Sequence, residues 1–590
     1  MKRYVLSIFL LVTFAPLAWA GVVTPERAAR YAESLLGMSS TPVAENGSQN
    51  RAASRNGAQD PEYYVFNNPD GGWVIIAADD RVTPILGYSD KGKFTVDDMP
   101  DNVSWWMDGV AKVIDNVRDL DMEASDEVRK AWSKVQDRLL TTSDNSITIP
   151  SALWDQLEPY NDFCPIVAGD INRSVTGCVA TAMAIIMRHN RWPAQGTGVI
   201  AGYKTYSTET YIPSDPVGDH TYNWNNMPLT DAKKAESGWT QAQKRQVAQL
   251  MYDCGVSVGM DYMYEGSSAS SDYIAYALQT YFSYSDKSMQ VLRASYTEDE
   301  WLSIIRNEID AGRLVLYCGN GDAGGHAFVC DGYKTDEKKL RINWGWGGEF
   351  NGFFALNLPA TEEFSFDEFQ AAIIGIAPNT ADVIHSGVEQ LIQYPYGNMF
   401  GLRPVMPADI VKDKEIKFEV GHFMNCSAHS VTKEFKVVLM DSAGNVRQEG
   451  WPVTMSFPAS DNYVYYDYTE PAVLNVTPKF TDYFKLFMKD GDDWVPANNN
   501  HEIVPDADGV CCGITPNPVI VLPDACSAGQ EISLSLTLGF VPVKSVKWSV
   551  NGSALQDNKV TLVQGKNVIQ ADVEYHNDSE GTITATVIVE

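Results

Sequence analysis

Apolar residues recur at helical spacing up to about residue 380 of this 590-residue chain. From Ala381 onward only strand alternation with Gly, Pro and Asn turns remains. A helical stripe and an alternating strand bury their apolar faces differently, so the switch divides the chain into separate cores. At roughly 150 residues per domain, a chain of this length holds about four units.

The pattern places their boundaries. Thr24-Pro25 opens a helix that Gly37 closes, with Thr at the N-cap, Pro in the first turn and Gly past the end. Residues 39–59, rich in Ser, Asn, Gly and Ala, read as a loop. Tyr63–Asn67 and Trp73–Ala78 flank Asn68-Pro69-Asp70-Gly71 and predict a hairpin, with helix following over Val103–Leu140. Residues 21–145 are therefore an α+β module. In residues 146–380, helices are predicted at Gly177–Arg188, Thr240–Cys254, Ser271–Phe282 and from a Thr297/Glu300 capping box. Strands are predicted at Leu314–Cys318, His326–Tyr333, Leu340–Trp344 and Phe353–Leu358. Helices first and strands afterwards give an α+β domain with a helical half and a β half. Residues 381–515 and 516–590 read as two β-sandwich modules, the second Ig-like, with strands such as Ile416–Val420, Glu434–Met440, Tyr483–Met488 and Asn567–Val573.

Residues 1–20 carry Lys2 and Arg3, an apolar run from Tyr4 to about Leu17, and Ala18-Trp19-Ala20 before Gly21. This predicts a cleaved secretory signal peptide, hence secretion. No other segment is long and apolar enough for a membrane span. A formal net charge of −31 opposes nucleic acid and anionic membranes as partners. Nine cysteines are too sparse for a disulfide scaffold, and their odd number leaves at least one thiol unpaired.

Cys178 is the candidate reactive thiol. Apolar residues at 179, 182, 183, 186 and 187 make the stripe of a buried helix, with Gly177 permitting a tight entry. Cys178 then sits in the first turn, where unpaired N–H groups and the positive end of the dipole stabilise a thiolate. Cys254, Cys318 and Cys330 read as core, and Cys511-Cys512 as possible partners for Cys426 or Cys526. A nucleophilic thiol needs an imidazole, and His326 follows Gly324-Gly325 at the start of an apolar strand. Asn343 on the next strand is a candidate to fix the imidazole tautomer, and Trp344 to cover that bond from water. Gln156, with the Cys178 N–H, is a candidate oxyanion donor.

The order Gln156, Cys178, His326, Asn343 is the papain-like arrangement, although the C-G-[SA]-C-[WY] signature is absent. The segments Thr176-Gly177-Cys178-Val179-Ala180-Thr181-Ala182, Gly324-Gly325-His326-Ala327-Phe328-Val329 and Asn343-Trp344-Gly345-Trp346-Gly347-Gly348 resemble the streptopain family of bacterial cysteine proteases. Gln156 before Pro159-Tyr160-Asn161, and Tyr222-Asn223-Trp224, add to the resemblance, which covers about residues 21–379. It implies a papain-like catalytic domain, secreted endopeptidase activity on protein and peptide substrates, and an inhibitory propeptide at 21–145. It further implies Cys178 as nucleophile, His326 as base, Gln156 as oxyanion donor, Asn343 as orienter and Trp344 as shield. The β modules lie outside it.

No cofactor is expected. His422, Cys426 and His429 have metal-like spacing but no partner pair, so solvated strand or turn residues are the expectation there. Gly266–Ser271 is either cleft lining or surface loop. Two rival functions are an inactive surface or adhesion protein, and another papain-like enzyme such as a transglutaminase or cell-wall amidase.

Overall fold

The computed structural model describes residues 21–36, 44–45, 61–96, 99–136, 145–167, 169–293, 296–321, 324–356, 370–384, 391–393, 401–406, 410–425, 430–458, 461–497, 509–523, 525–575 and 579–589. The expected signal peptide and Cys426 and His429 lie outside these residues. The chain divides into two compact units. One comprises residues up to Asn145 together with Glu349–Phe366, the other Ser146–Gly348 and Asp367–Glu590.

In the first unit the helix Pro25–Leu36 begins where Thr24 accepts from the Arg27 N–H. The predicted hairpin forms as Tyr63–Asn67 against Trp73–Ala77, and a third antiparallel strand, Ile85–Ser89, follows. The helical run expected over Val103–Leu140 is interrupted. Helices span Asp101–Asp119 and Asp126–Gln136, with Asp121 at φ 47° in the turn between them. Gly352–Phe354 pairs with Ile85–Ser89, Phe353 facing Tyr88 and Phe354 facing Gly87. That strand is enclosed by aromatic rings. Phe354 lies 4.8 Å from Trp106 and 5.6 Å from Trp73, and Phe353 stacks on Tyr88 at 5.5 Å. The Trp106 indole donates to Ala355 O at 3.2 Å.

In the second unit α-helices span Cys178–Asn190, Gln241–Ser257, Asp272–Phe282 and Glu298–Asp310. The last has the predicted Thr297/Glu300 capping box. The strands form one antiparallel sheet in the order Leu340–Asn343, Gly324–Lys334, Val315–Gly321, Gln370–Ile374, Met289–Leu292. Ser146–Thr148 pairs with the far end of Gly324–Lys334. Helix Cys178–Asn190 packs on Gly324–Lys334 and Val315–Gly321. All its residues from Val179 to Met187 are buried, more than an amphipathic stripe requires, because helix Gln241–Ser257 packs on it as well.

Downstream stand two apolar cores with antiparallel sheets around them. One, within residues 391–514, includes Phe418, Phe435, Trp451 and Phe484. The other, within 520–589, includes Trp548, Ile569 and Val573. Long strands at Val446–Phe457 and Asp461–Tyr468 belong to the first of these regions. Among the described residues no helix is long and apolar enough to cross a membrane.

Candidate active site

Cys178 is the first residue of its helix and is half-buried. Gly177 at the N-cap has φ 85°, a conformation that glycine adopts without strain. A Cβ there would lie 2.7 Å from Met260 Sδ and 2.9 Å from Ser267 O, so only glycine fits. The entry is further fixed by Thr181, one turn on. Its hydroxyl donates to Gly177 O at 2.9 Å and lies 2.8 Å from the Thr176 hydroxyl.

The buried cysteines do not compete for the role of nucleophile. Burial pushes the Cys164 and Cys330 thiols up to about 12, and moves Cys254 and Cys512 well above the ordinary thiol range. These remain protonated at neutral pH and are poor nucleophiles. Cys318 is likewise raised by burial and then by Cys178. Cys512 and Cys526, considered above as bridge partners, are free thiols.

His326 lies half-buried on Gly324–Lys334, directly opposite Gly319, the neighbour of Cys318. The same strands that carry Cys318 and His326 thus form the surface on which the Cys178 helix rests.

Gln156 is buried, and its backbone carbonyl accepts from Thr176 N–H at 3.2 Å. The predicted oxyanion donor is therefore tied to the segment just before the nucleophile. Asp155 shapes this turn. It accepts from the N–H groups of Gln156 and Leu157 at 2.6 and 3.1 Å and pairs with Lys233 at 3.0 Å.

Asn343 and Trp344 separate. Asn343 faces Val329 across the ladder. Strand residues alternate faces, so Val329, three residues from His326, points to the opposite side, and Asn343 shares that side. The Asn343 amide donates to Ser151 Oγ and Ala152 O, both at 2.9 Å, and its carbonyl accepts from Gly345 N–H at 3.2 Å. The geometry therefore does not support the orienting role expected for Asn343: the amide braces the 151–152 segment and the turn at Gly345. Trp344 packs on Phe328 at 4.7 Å, and Phe328 is on the face of His326. A Cβ on the following Gly345 would lie 3.1 Å from Thr181. The Trp344-Gly345 segment thus touches the histidine strand through Trp344 and the first turn of the nucleophile helix through Gly345.

The loop Met260–Ser268 also belongs here. Val175 N–H donates to Met263 O at 3.2 Å, and the Ser267 hydroxyl donates to Val175 O at 2.7 Å. The sequence had left this region open between cleft lining and surface loop.

Comparison with known proteins identifies the family. A peptidase C10 family model matches residues 154–354, and a Spi protease inhibitor model matches residues 20–114. Thiol protease/hemagglutinin PrtT of Porphyromonas gingivalis is 31% identical over 439 residues, which are 71% of this chain and 48% of PrtT. The chain thus spans about half the length of that relative. Streptopain of Streptococcus pyogenes is 31% identical over 335 residues, which are 53% of this chain and 80% of streptopain. A solved prointerpain A fragment of Prevotella intermedia shares 30% identity with a TM-score of 0.45, covering 55% of this chain and 98% of that one. With a nucleophile segment, a histidine strand and an inhibitor-like leader all matched, the chain belongs to the peptidase C10 family, that of the streptopains.

Proposed function

We propose that this chain is a secreted cysteine endopeptidase, made latent, that cleaves protein and peptide substrates with Cys178 as nucleophile and His326 as base. One observation carries the assignment of the nucleophile: Cys178 is a half-buried thiol at the N-terminus of a buried helix that rests on the His326 strand. The helix terminus and the imidazole favour thiolate and imidazolium.

The thiolate attacks the scissile carbonyl carbon, and the carbonyl oxygen becomes an oxyanion. The Cys178 N–H and the Gln156 amide are its proposed donors. His326 gives its proton to the leaving amine, an acyl-enzyme remains, and water activated by His326 releases the acid. Trp344 excludes water from the imidazole's face. Residues 21–145 act as the inhibitory leader, and residues 1–20 direct export.

The test is alkylation and casein hydrolysis by the matured protein. The expected result is stoichiometric labelling at Cys178 and no hydrolysis by Cys178→Ala or His326→Ala. Casein cleavage by Cys178→Ala at the parent rate would refute the nucleophile. Muropeptide hydrolysis or amide transfer without casein cleavage would select the amidase or transglutaminase reading.

A further inference from the structure

Away from the catalytic groups, three side chains from two segments converge. Asp215 and His220 lie on the connection before helix Gln241–Ser257, and Asp253 lies within that helix. One carboxylate oxygen from each aspartate and one imidazole nitrogen lie within 4.8 Å of one another. His220 Nδ1 is 3.1 Å from Asp253 Oδ2 and 3.7 Å from Asp215 Oδ1. Asp253 is fully buried and Asp215 is 5% exposed.

The two carboxylates are unequally served. Asp253 accepts from the Tyr222 hydroxyl at 2.7 Å and from Gln249 Nε2 at 2.6 Å, besides His220. Asp215 Oδ2 is buried with no hydrogen-bond partner. Its backbone N–H and C=O both bond Ile200, at 3.0 and 2.8 Å, so the residue is anchored at the site. Two ionised carboxylates facing one imidazole leave net negative charge even when the ring is protonated. Such a site calls for a cation.

We propose that Asp215, His220 and Asp253 form a binding site for a divalent transition-metal cation of the zinc class. Ligands at about 2.0–2.2 Å from a tetrahedral zinc stand roughly 3.4 Å apart. The separations of 3.1 and 3.7 Å around His220 Nδ1 bracket that spacing. A nitrogen donor with only two carboxylates disfavours calcium and magnesium, which take oxygen shells. The ion replaces the proton on Nδ1, and Asp215 offers it a carboxylate oxygen. Tyr222 and Gln249 remain as outer partners that orient Asp253. The ion clamps the connection to helix Gln241–Ser257, which backs the nucleophile helix: a Cβ on Gly255 would lie 3.6 Å from Ala180. The site is structural, and the hydrolytic steps do not pass through it.

The test uses the full chain carrying Cys178→Ala, so that the catalytic thiol does not itself capture zinc. After chelator treatment and dialysis, zinc, manganese and calcium chloride are titrated calorimetrically, with elemental analysis and thermal unfolding alongside. Asp215→Asn and His220→Gln are compared in the same background, both near-isosteric, so that either one decides if the other misfolds. The expected result is one zinc per chain lost in both variants, with affinity down at least about tenfold, and a zinc-dependent rise in melting temperature in the parent alone. The proposal is overturned if the parent takes up no zinc, if the variants bind it as tightly, or if calcium binds as well as zinc. Absence of zinc together with greater stability of Asp215→Asn would identify a proton shared between two carboxyls instead.

Discussion

Asn343 and Trp344 are adjacent in sequence and do different work. From a fully buried position the amide of Asn343 holds Ser151, Ala152 and Gly345. Asn343→Ala is expected to lower stability by about 1–3 kcal/mol by leaving buried groups unpaired. The pH profile of kcat/KM should stay in place, because the amide does not reach the imidazole. Trp344→Ala should instead lower kcat/KM at least about tenfold through loss of imidazole placement. Parallel denaturation and pH–rate measurements check both, and an Asn343→Ala protein of parent stability with a displaced profile contradicts the assignment. At Gly177 an added methyl meets both a positive φ and contacts under 3 Å. Gly177→Ala should cost about 1–3 kcal/mol in strain and slow alkylation of Cys178. Cys178 and His326 were legible because each lies in a local pattern, a glycine before an apolar helix and a glycine pair before an apolar strand. The face on which Asn343 lies was not, since it depends on the pairing of Val329 with Asn343 across the sheet. Asp215, His220 and Asp253 were equally hidden, being brought together only by the packing of a long connection on a helix.

The element that ties residues 349–356 to the first unit is the three-residue strand Gly352–Phe354. Its backbone pairing is short, so the aromatic cage of Trp73, Tyr88 and Trp106 supplies much of its hold. Phe354→Ala should destabilise this unit by about 3–5 kcal/mol, measurable as a lower unfolding midpoint of the full chain carrying Cys178→Ala. No change in the midpoint would show the cage to be incidental. Sequence periodicity located both hairpin strands within a residue and the capping box of Glu298–Asp310, because these signals are local. It ran Asp101–Asp119 and Asp126–Gln136 together, since helix propensity continues through the turn between them. The partner of Gly352–Phe354, more than 250 residues away, leaves no local trace.

Across the whole molecule, separate cores imply separate melting. Calorimetry of the Cys178→Ala chain should resolve more than one transition. Acid should act selectively. Asp79 is fully buried, and burial alone would raise its carboxyl, but bonds from Arg81 and Arg118 overcome this and hold it below the ordinary value. The unfolded carboxyl titrates near pH 3.9, so its contribution is complete above that pH and is lost as the pH falls toward the lower folded value. The transition of the first unit should therefore weaken from about pH 4 downward. In Asp79→Asn that acid sensitivity should shrink, and an identical acid response would exclude this network as its source. The pairing of Ile85–Ser89 with Gly352–Phe354 has a kinetic consequence. A single cut of the chain anywhere between Ser89 and Gly352 would sever the covalent link yet leave that ladder and its ring contacts intact. Severance and departure would then be distinct events, and the lag between them would be set by how fast that short ladder and its ring cage open rather than by how fast the bond is cut.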